Sequence, residues 1–174
     1  MLEPMTTSLE VWPVAADEIG IWLLSGNDAL REGPVMADAC MFAEVDLMLA
    51  HLGIGPGSVA AVHSTSWRQE GPRQINTFMA VIKTGDFALE RWPALPITVD
   101  LAEAVGKPFT HAPSEPPVPR YVDVLMHGLR HLRFLLEPGR DATTAAAMGD
   151  LWRRHLEPLD SALATMYDVQ HQAV

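Results

Sequence analysis

The chain has 174 residues, of which 48% are hydrophobic and 20% are charged, and its net charge is −10. This length and composition suit one domain with a full apolar core, and they exclude intrinsic disorder as the state of most of the chain. The acidic charge argues against a nucleic-acid-binding surface, which needs a basic patch. With a single cysteine, Cys40, no signal-peptide pattern and no long apolar run, we expect a cytoplasmic protein that does not enter a membrane.

The charge is distributed unevenly along the chain. Residues 1–50 hold nine acidic residues and one arginine, so most of the negative charge lies there. Ten arginines against two lysines, with much alanine and proline, indicate a bacterial source with a GC-rich genome. A basic surface is conceivable only in the second part, where these arginines cluster: Arg120, Arg130, Arg133, Arg140, Arg153 and Arg154.

The first half of the chain predicts two strands and then one helix. Residues 8–15 and 19–26 are rich in β-branched and aromatic residues, which favours strands, and "REGPVMAD" then predicts a loop. From Cys40 to Leu52 the apolar residues recur at helical spacing, and Gly53 supplies a stop signal. Cys40 itself is expected in the core of this apolar helix.

Residues 59–82 predict a β-hairpin around the loop "QEGPRQ". Both arms contain consecutive apolar residues, "VAAV" and "FMAVI", as is typical of strands covered on both faces. We therefore expect a sheet with helices packed on more than one side.

Prolines and helical patterns fill the rest of the chain. Seven of the fourteen prolines fall between Pro93 and Pro119, which predicts an ordered strap with one short helix at residues 100–106. A helix is then predicted from Arg120 to Leu136, and a second helix beyond it should bend or split at Pro158.

The first arm of the hairpin is the first candidate binding site. Five polar or aromatic residues interrupt it: His63, Ser64, Ser66, Trp67 and Arg68. Strict alternation would place His63 and Trp67 on one face and Arg68 on the other. A guanidinium at Arg68 could clamp a phosphate or carboxylate while Trp67 stacks on a planar ligand. The alternative is an ordinary half-exposed hairpin end with cross-strand pairing.

The helix at residues 120–136 carries the second candidate site. Its polar stripe includes four residues: Asp123, His127, Arg130 and His131. The two histidines have the i, i+4 spacing of paired metal ligands, but Gly128 stands where H-E-x-x-H has its glutamate and no third ligand is identifiable. We therefore predict no metal and expect a surface pair, such as His127 with Asp123. Gly128 predicts close packing against another element.

Residues 40–82 resemble the part of a Nudix hydrolase that begins with its motif helix. The "LGI" at residues 52–54 matches the end of that helix, and an antiparallel strand pair ending in "TFMAV" follows, as in that family. The motif's metal-binding glutamates and its Arg-Glu pair would fall on Ala50, His51, Asp46 and Leu47. The resemblance implies a Nudix-like sandwich without the Mg²⁺ site, and so a member without pyrophosphohydrolase activity.

These observations together predict an α+β protein. A mixed or antiparallel sheet with a packed helix should occupy residues 1–92, a proline-rich strap residues 93–119 and C-terminal helices residues 120–174, all in one compact domain. The leading hypothesis is a non-catalytic, Nudix-like ligand-binding or regulatory protein that takes a nucleotide or another anionic small molecule.

Two alternatives remain at this point. One is a protein-interaction module, whose partner could be another protein or a second copy, and the other is a hydrolase that uses His127 and His131. Ligand binding predicts a concave site beside the hairpin, whereas an interaction module predicts a flat apolar patch. The sequence identifies no cofactor.

Overall fold

The computed structural model describes residues 5–36, 39–83, 89–97 and 121–163. Within them the chain is an α+β protein with a six-stranded mixed sheet and three α-helices. The strands are β1 (Thr6–Ala16), β2 (Ile21–Leu23), β3 (Leu30–Val35), β4 (Val59–Glu70), β5 (Arg73–Ile82) and β6 (Leu95–Ile97). The helices are α1 (Met41–His51), α2 (Tyr121–Leu135) and α3 (Ala142–Leu156).

Strand β1 is the centre of the sheet. The strand order is β4-β5-β1-β2-β6, and β3 also pairs with β1. The β1–β5 pair is parallel, while β1 pairs with both β2 and β3 in antiparallel fashion. Every residue of β1 from Leu9 to Ala16 is buried, because the strand has neighbours on both edges and helices over both faces.

The two faces of the sheet carry separate apolar cores. Helix α1 covers one face, where Val45 and Leu49 pack with Phe78 of β5. Helices α2 and α3 cover the other face, where Leu129 and Trp152 join the same buried cluster as strand residues. Two-sided cover is therefore confirmed for β5, which is buried from Ile75 to its end. The same prediction of cover on both faces is wrong for β4, which is half-buried because it lies at the sheet edge.

Three predicted elements differ from the structure. Part of the predicted loop "REGPVMAD" lies in strand β3, where Gly33 and Pro34 are tolerated because β3 is exposed and pairs only with β1. A short strand, β6, lies within the proline-rich segment, while the helix predicted at residues 100–106 falls outside the described residues. Helix α3 is broken at Gly149, which has a φ of +74°, and ends before Pro158.

Glycine 128 brings α2 close to the sheet, as its position in mid-helix predicts. A Cβ atom at Gly128 would lie 2.5 Å from Sδ of Met79, so any larger residue would clash with β5. Helix α2 therefore lies directly over strands β4 and β5. None of the helices in the described ranges is both long enough and apolar enough to cross a membrane.

Candidate functional site

A β-bulge in β4 decides which hairpin residues face the helices. The β4–β5 register is irregular between Ser64 and Ser66, so Thr65 is an extra residue that reverses the alternation beyond it. The pairs that share one face are His63 with Met79, Ser66 with Thr77, and Arg68 with Ile75. The prediction from strict alternation is wrong here, since His63 and Arg68 point to the same face, under α2 and α3.

Trp67 and Ser64 point to the opposite face. Ser64 pairs with Phe78 and Trp67 pairs with Asn76, on the side that α1 covers. The five residues of the first candidate site are therefore divided between the two faces of the sheet. They do not line one common ligand site.

A buried carboxylate, Glu10, forms the centre of a charged network on the helix face. Glu10 is fully buried in β1, and its two oxygens accept five hydrogen bonds. Arg68 donates two of them in a bidentate pair, from Nη1 at 2.9 Å and Nη2 at 2.7 Å. The other donors are Trp12 Nε1, Thr77 Oγ1 and Arg31 Nε.

Electrostatics keep this network ionised despite its burial. Burial opposes ionisation of Glu10, but the hydrogen bonds and charge of Arg68, with the charge of Arg31, outweigh it and hold the pKa of Glu10 below its ordinary value. Arg68 also donates from Nε to Glu70 at 2.8 Å. Its guanidinium is thus paired with two carboxylates of its own chain, and its role in anion binding stays a prediction.

The second cluster on this face brings the two candidate sites together. His63 of β4 meets His131 of α2, with 3.1 Å between Nδ1 of His63 and Nε2 of His131. His131 Nδ1 lies 3.2 Å from the carbonyl oxygen of Ala162, which can only accept, so Nδ1 carries the proton and Nε2 is the acceptor. His63 Nδ1 is then the donor, shared with the carbonyl oxygen of Ser64 at 2.9 Å.

Burial lowers the pKa values of the two helix histidines, His131 and His127. His131 is 3% exposed, and burial, with the charges of His63 and His127, lowers its pKa to about 4 although the hydrogen bond to Ala162 acts in the opposite direction. Burial also lowers the pKa of His127, with a smaller effect of Arg130, against a hydrogen bond to the backbone of Thr65. His131 is therefore a core residue, and the expected surface pair is wrong for it.

The remaining residues of the second candidate site lie along the same helix. Asp123 and Arg130 are half-buried, and Nε of Arg130 is buried with no hydrogen-bond partner in the described ranges. Within those ranges no group of three or more histidine, cysteine, aspartate or glutamate side chains is arranged to hold a metal ion. A metal-dependent hydrolase that uses His127 and His131 would need a further ligand from another element.

An apolar surface surrounds Trp67 on the α1 face. We define the Trp67 patch as Trp67, Met41 and Phe42, which are 58%, 37% and 52% exposed. Asn76 connects them, because it pairs with Trp67 across the strands and its Nδ2 lies 3.8 Å from Sδ of Met41. The Phe42 ring packs edge-on against Phe78 at 5.5 Å. The three exposed side chains therefore lie on the same face of the sheet, at the start of α1 and the end of the hairpin, with Asn76 between Trp67 and Met41.

Two parts of the site escaped prediction from the sequence. The first is Glu10. An acidic residue between apolar residues of a strand that is buried on both faces indicates an ion pair, since a buried charge must be paired. Arg31 is the other, because it belongs to "REGPVMAD", which the sequence predicts as a loop. Cys40, which the sequence places in the core, is instead exposed at the start of α1.

Comparison with models of protein families finds no match, and comparison with curated proteins finds none either.

Proposed function

We propose that this chain is a non-catalytic binding protein that recruits a protein partner through the Trp67 patch. The supporting observation is an exposed tryptophan on a sheet edge, with an exposed methionine and phenylalanine at the start of the helix on the same face. Tryptophan is the side chain most enriched among residues that dominate binding energy at protein interfaces. Exposed contiguous apolar surface of this kind marks interaction sites in soluble proteins.

The backbone beside the patch favours an extended partner. Strand β4 pairs with β5 on one edge, and no described strand pairs with its other edge. An extended peptide can add to such an edge through main-chain hydrogen bonds, while alternate side chains occupy the neighbouring surface. Trp67 and Gln69 lie on this edge strand and are exposed, so they are accessible to an added strand.

Charge defines the partner further. The chain has a net charge of −10, and α1, which borders the patch, carries Glu44 and Asp46. Complementary charge raises association rates and selects among partners. The partner we propose is therefore an extended segment with apolar residues at alternate positions and lysine or arginine between them.

The test is selection from a library of random nine-residue peptides displayed on phage. We expect enriched peptides to alternate apolar and basic residues, and to bind at least about tenfold more weakly to Trp67→Ala, the loss typical of an interface tryptophan. Phe42→Ala should weaken binding as well. Ile19→Ala is the matched control, because Ile19 is 82% exposed in the β1–β2 turn.

Two outcomes would overturn this proposal. One is a selection with no enrichment over blank beads, and the other is equal binding to the wild type and to Trp67→Ala. Sedimentation of the unliganded protein tests whether a second copy is the partner instead, which would show a dimer that Trp67→Ala dissociates.

A second candidate is ligand binding by a degenerate Nudix-like domain. The observed order supports it: α1 ends at His51, Gly53 follows with a φ of +74°, Ile54 is buried, and an antiparallel strand pair comes next. The absence of the motif's glutamates at Ala50 and His51 favours binding without hydrolysis. A thermal-shift screen with nucleoside diphosphate derivatives tests this candidate, since a ligand at about 100 times its Kd adds about 2.7 kcal/mol. An unchanged melting temperature with all of them would contradict it.

A further inference from the structure

The chain returns to α2 after α3 ends. We define the post-α3 segment as residues 157–163, the last part of the chain that the structure describes. The backbone N–H of Ala162 donates to the carbonyl oxygen of Arg130 at 3.1 Å. The carbonyl oxygen of Ala162 accepts from Nδ1 of His131 at 3.2 Å. These two hydrogen bonds tie the segment to α2 through a single residue.

The post-α3 segment is held more weakly than the helix before it. Helix α3 buries Trp152 and Leu156 in the core, whereas none of the residues 157–163 is buried. Leu159 is partly buried against the same core. Elements with few buried contacts open at a lower free-energy cost than unfolding of the whole protein. We therefore expect the segment to open while the sheet stays folded.

The post-α3 segment covers an ionisable group. His131 is 3% exposed, and its ring lies between His63 of β4 and the carbonyl oxygen of Ala162. Burial is the largest cause that lowers the pKa of His131, to about 4, although the hydrogen bond to Ala162 acts in the opposite direction. When the segment opens, water replaces that carbonyl and solvates the ring. Opening therefore raises the affinity of His131 for a proton.

The charges around the ring act in the same direction as burial. After burial, the charges of His63 on β4 and His127 on α2 also lower the pKa of His131, because like charges oppose each other. Further ionisable groups around the ring are Arg130, Arg140, Asp141 and Asp160. A proton on His131 is therefore disfavoured while the segment is closed.

We propose that the post-α3 segment is a pH-dependent switch, which closes over His131 at neutral pH and opens from α2 in mild acid while the sheet remains folded. An open, solvated His131 has a pKa near its ordinary value of 6.5, and the closed form has a pKa of about 4. The open form thus holds more protons between these values, and its population rises about 30-fold from pH 7.5 to pH 5.0. This switch is independent of the Trp67 patch, which lies on the other face of the sheet.

The first test is hydrogen exchange of the Ala162 amide, followed by NMR. We expect its protection factor to fall about 30-fold from pH 7.5 to pH 5.0 and to be unaffected by low urea concentrations, because local opening exposes little surface. The amide of Val11, at the centre of the sheet, should stay better protected at both pH values and lose protection in urea. His131→Gln should remove the pH dependence at Ala162, and the control His51→Gln should keep it.

The second test opens the segment at constant pH. Ala162→Pro removes the N–H that donates to Arg130, whereas the matched control Ala162→Ser keeps it. The imidazole signals of His131 should titrate at least about one pH unit higher in Ala162→Pro than in Ala162→Ser, because the open ring is solvated. Neither change should alter the urea dependence of Val11 exchange.

Four results would overturn the proposal. Two concern the Ala162 amide of the wild type: a protection factor that does not change with pH, or one with the same urea dependence as Val11, which would show that Ala162 opens only on global unfolding. The third is an unchanged pH dependence in His131→Gln, and the fourth is equal titration of His131 in Ala162→Pro and Ala162→Ser.

Discussion

Strand β4 contributes to two buried polar clusters on the same face of the sheet, and the two clusters are stabilised in opposite ways. At one end Arg68 meets Glu10, and both groups stay charged because hydrogen bonds and opposite charges surround them. Further along the strand His63 meets His131, and the His131 ring stays neutral because burial disfavours a charge there. Buried ionisable groups persist either by complete pairing or by losing their charge.

The difference has a structural origin in the partners that each end of β4 meets. Glu10, Thr77 and Arg31 come from adjacent strands, whose register aims their side chains at one point. His131 comes from a helix, and among the described residues its ring meets one other ring and one carbonyl oxygen. The charged cluster should therefore be sensitive to loss of a partner, and the neutral cluster should be sensitive to pH.

The largest effect is expected from Glu10→Gln. This change removes the bidentate partner of the largely buried Arg68 and leaves it one ion pair, with Glu70, and breaking a buried ion pair in this way costs about 3–5 kcal/mol. Urea unfolding at pH 7 measures the loss. The double variant Glu10→Met/Arg68→Met removes both charges and should lose less than Glu10→Gln alone. A double variant that is less stable than the single one would contradict the account of the network.

The pH dependence of the second cluster is the next largest effect. The unfolded chain binds a proton at His131 with a pKa near 6.5, and the folded chain does so only at about 4. Between these values the unfolded state holds more protons, so the free energy of unfolding decreases as the pH falls from about 6.5 to 4. The decrease amounts to on the order of 3 kcal/mol. Protonation would also set two N–H donors against each other at the His63 contact.

His131→Gln isolates this contribution, because glutamine does not titrate. The variant should be less stable than the wild type at pH 7.5, and the gap should narrow towards pH 4.5 in urea unfolding. His51→Gln, exposed on α1, is the control and should follow the wild-type curve at every pH. Parallel curves for His131→Gln and the wild type would show that His131 does not change its protonation on unfolding in this range.

How much of this the sequence could predict depends on the range of the interactions involved. Helix α1 is predicted almost to the residue, because its 3.6-residue apolar period is a local pattern. Gly128 is predicted as a point of close packing, because glycine in mid-helix lowers helix stability and is favoured only where a side chain would not fit. The bulge at Thr65 could not be predicted, since one extra residue reverses the faces without any change in composition. The same limit applies to β3, whose partner is distant in sequence and whose composition is that of a loop.

In the candidate site, too, the sequence predicts local features and misses contacts between residues that are distant in the chain. His63, Arg68 and His131 are recognisable from the sequence as polar residues in apolar surroundings, but their partners are not. Arg68 lies 58 residues from Glu10, and His131 lies 68 residues from His63. Such pairs are formed only by the complete sheet and the helix above it, so the sequence predicts the residues and leaves their chemistry open.

The smallest effect is expected where the helix approaches the sheet. Gly128→Ala gains about 1 kcal/mol in helix propensity, but its Cβ would lie 2.5 Å from Sδ and 2.8 Å from Cγ of Met79. Overpacking costs typically about 1–3 kcal/mol, so we expect a net loss of up to about 2 kcal/mol in urea unfolding. Gly57→Ala is the control, because a Cβ there meets nothing within 4 Å.

The same variant separates the two clusters, because α2 carries His131, whereas the five hydrogen bonds to Glu10 all come from strand residues. A helix displaced by the new methyl group should move His131 away from His63. The imidazole NMR signals of both residues should therefore shift, while the Nε–H signal of Arg68 stays unchanged. If Gly128→Ala instead gains the full helix propensity and leaves the imidazole signals in place, α2 does not lie against Met79 in solution. The His63–His131 contact would then lack the close helix approach on which it depends.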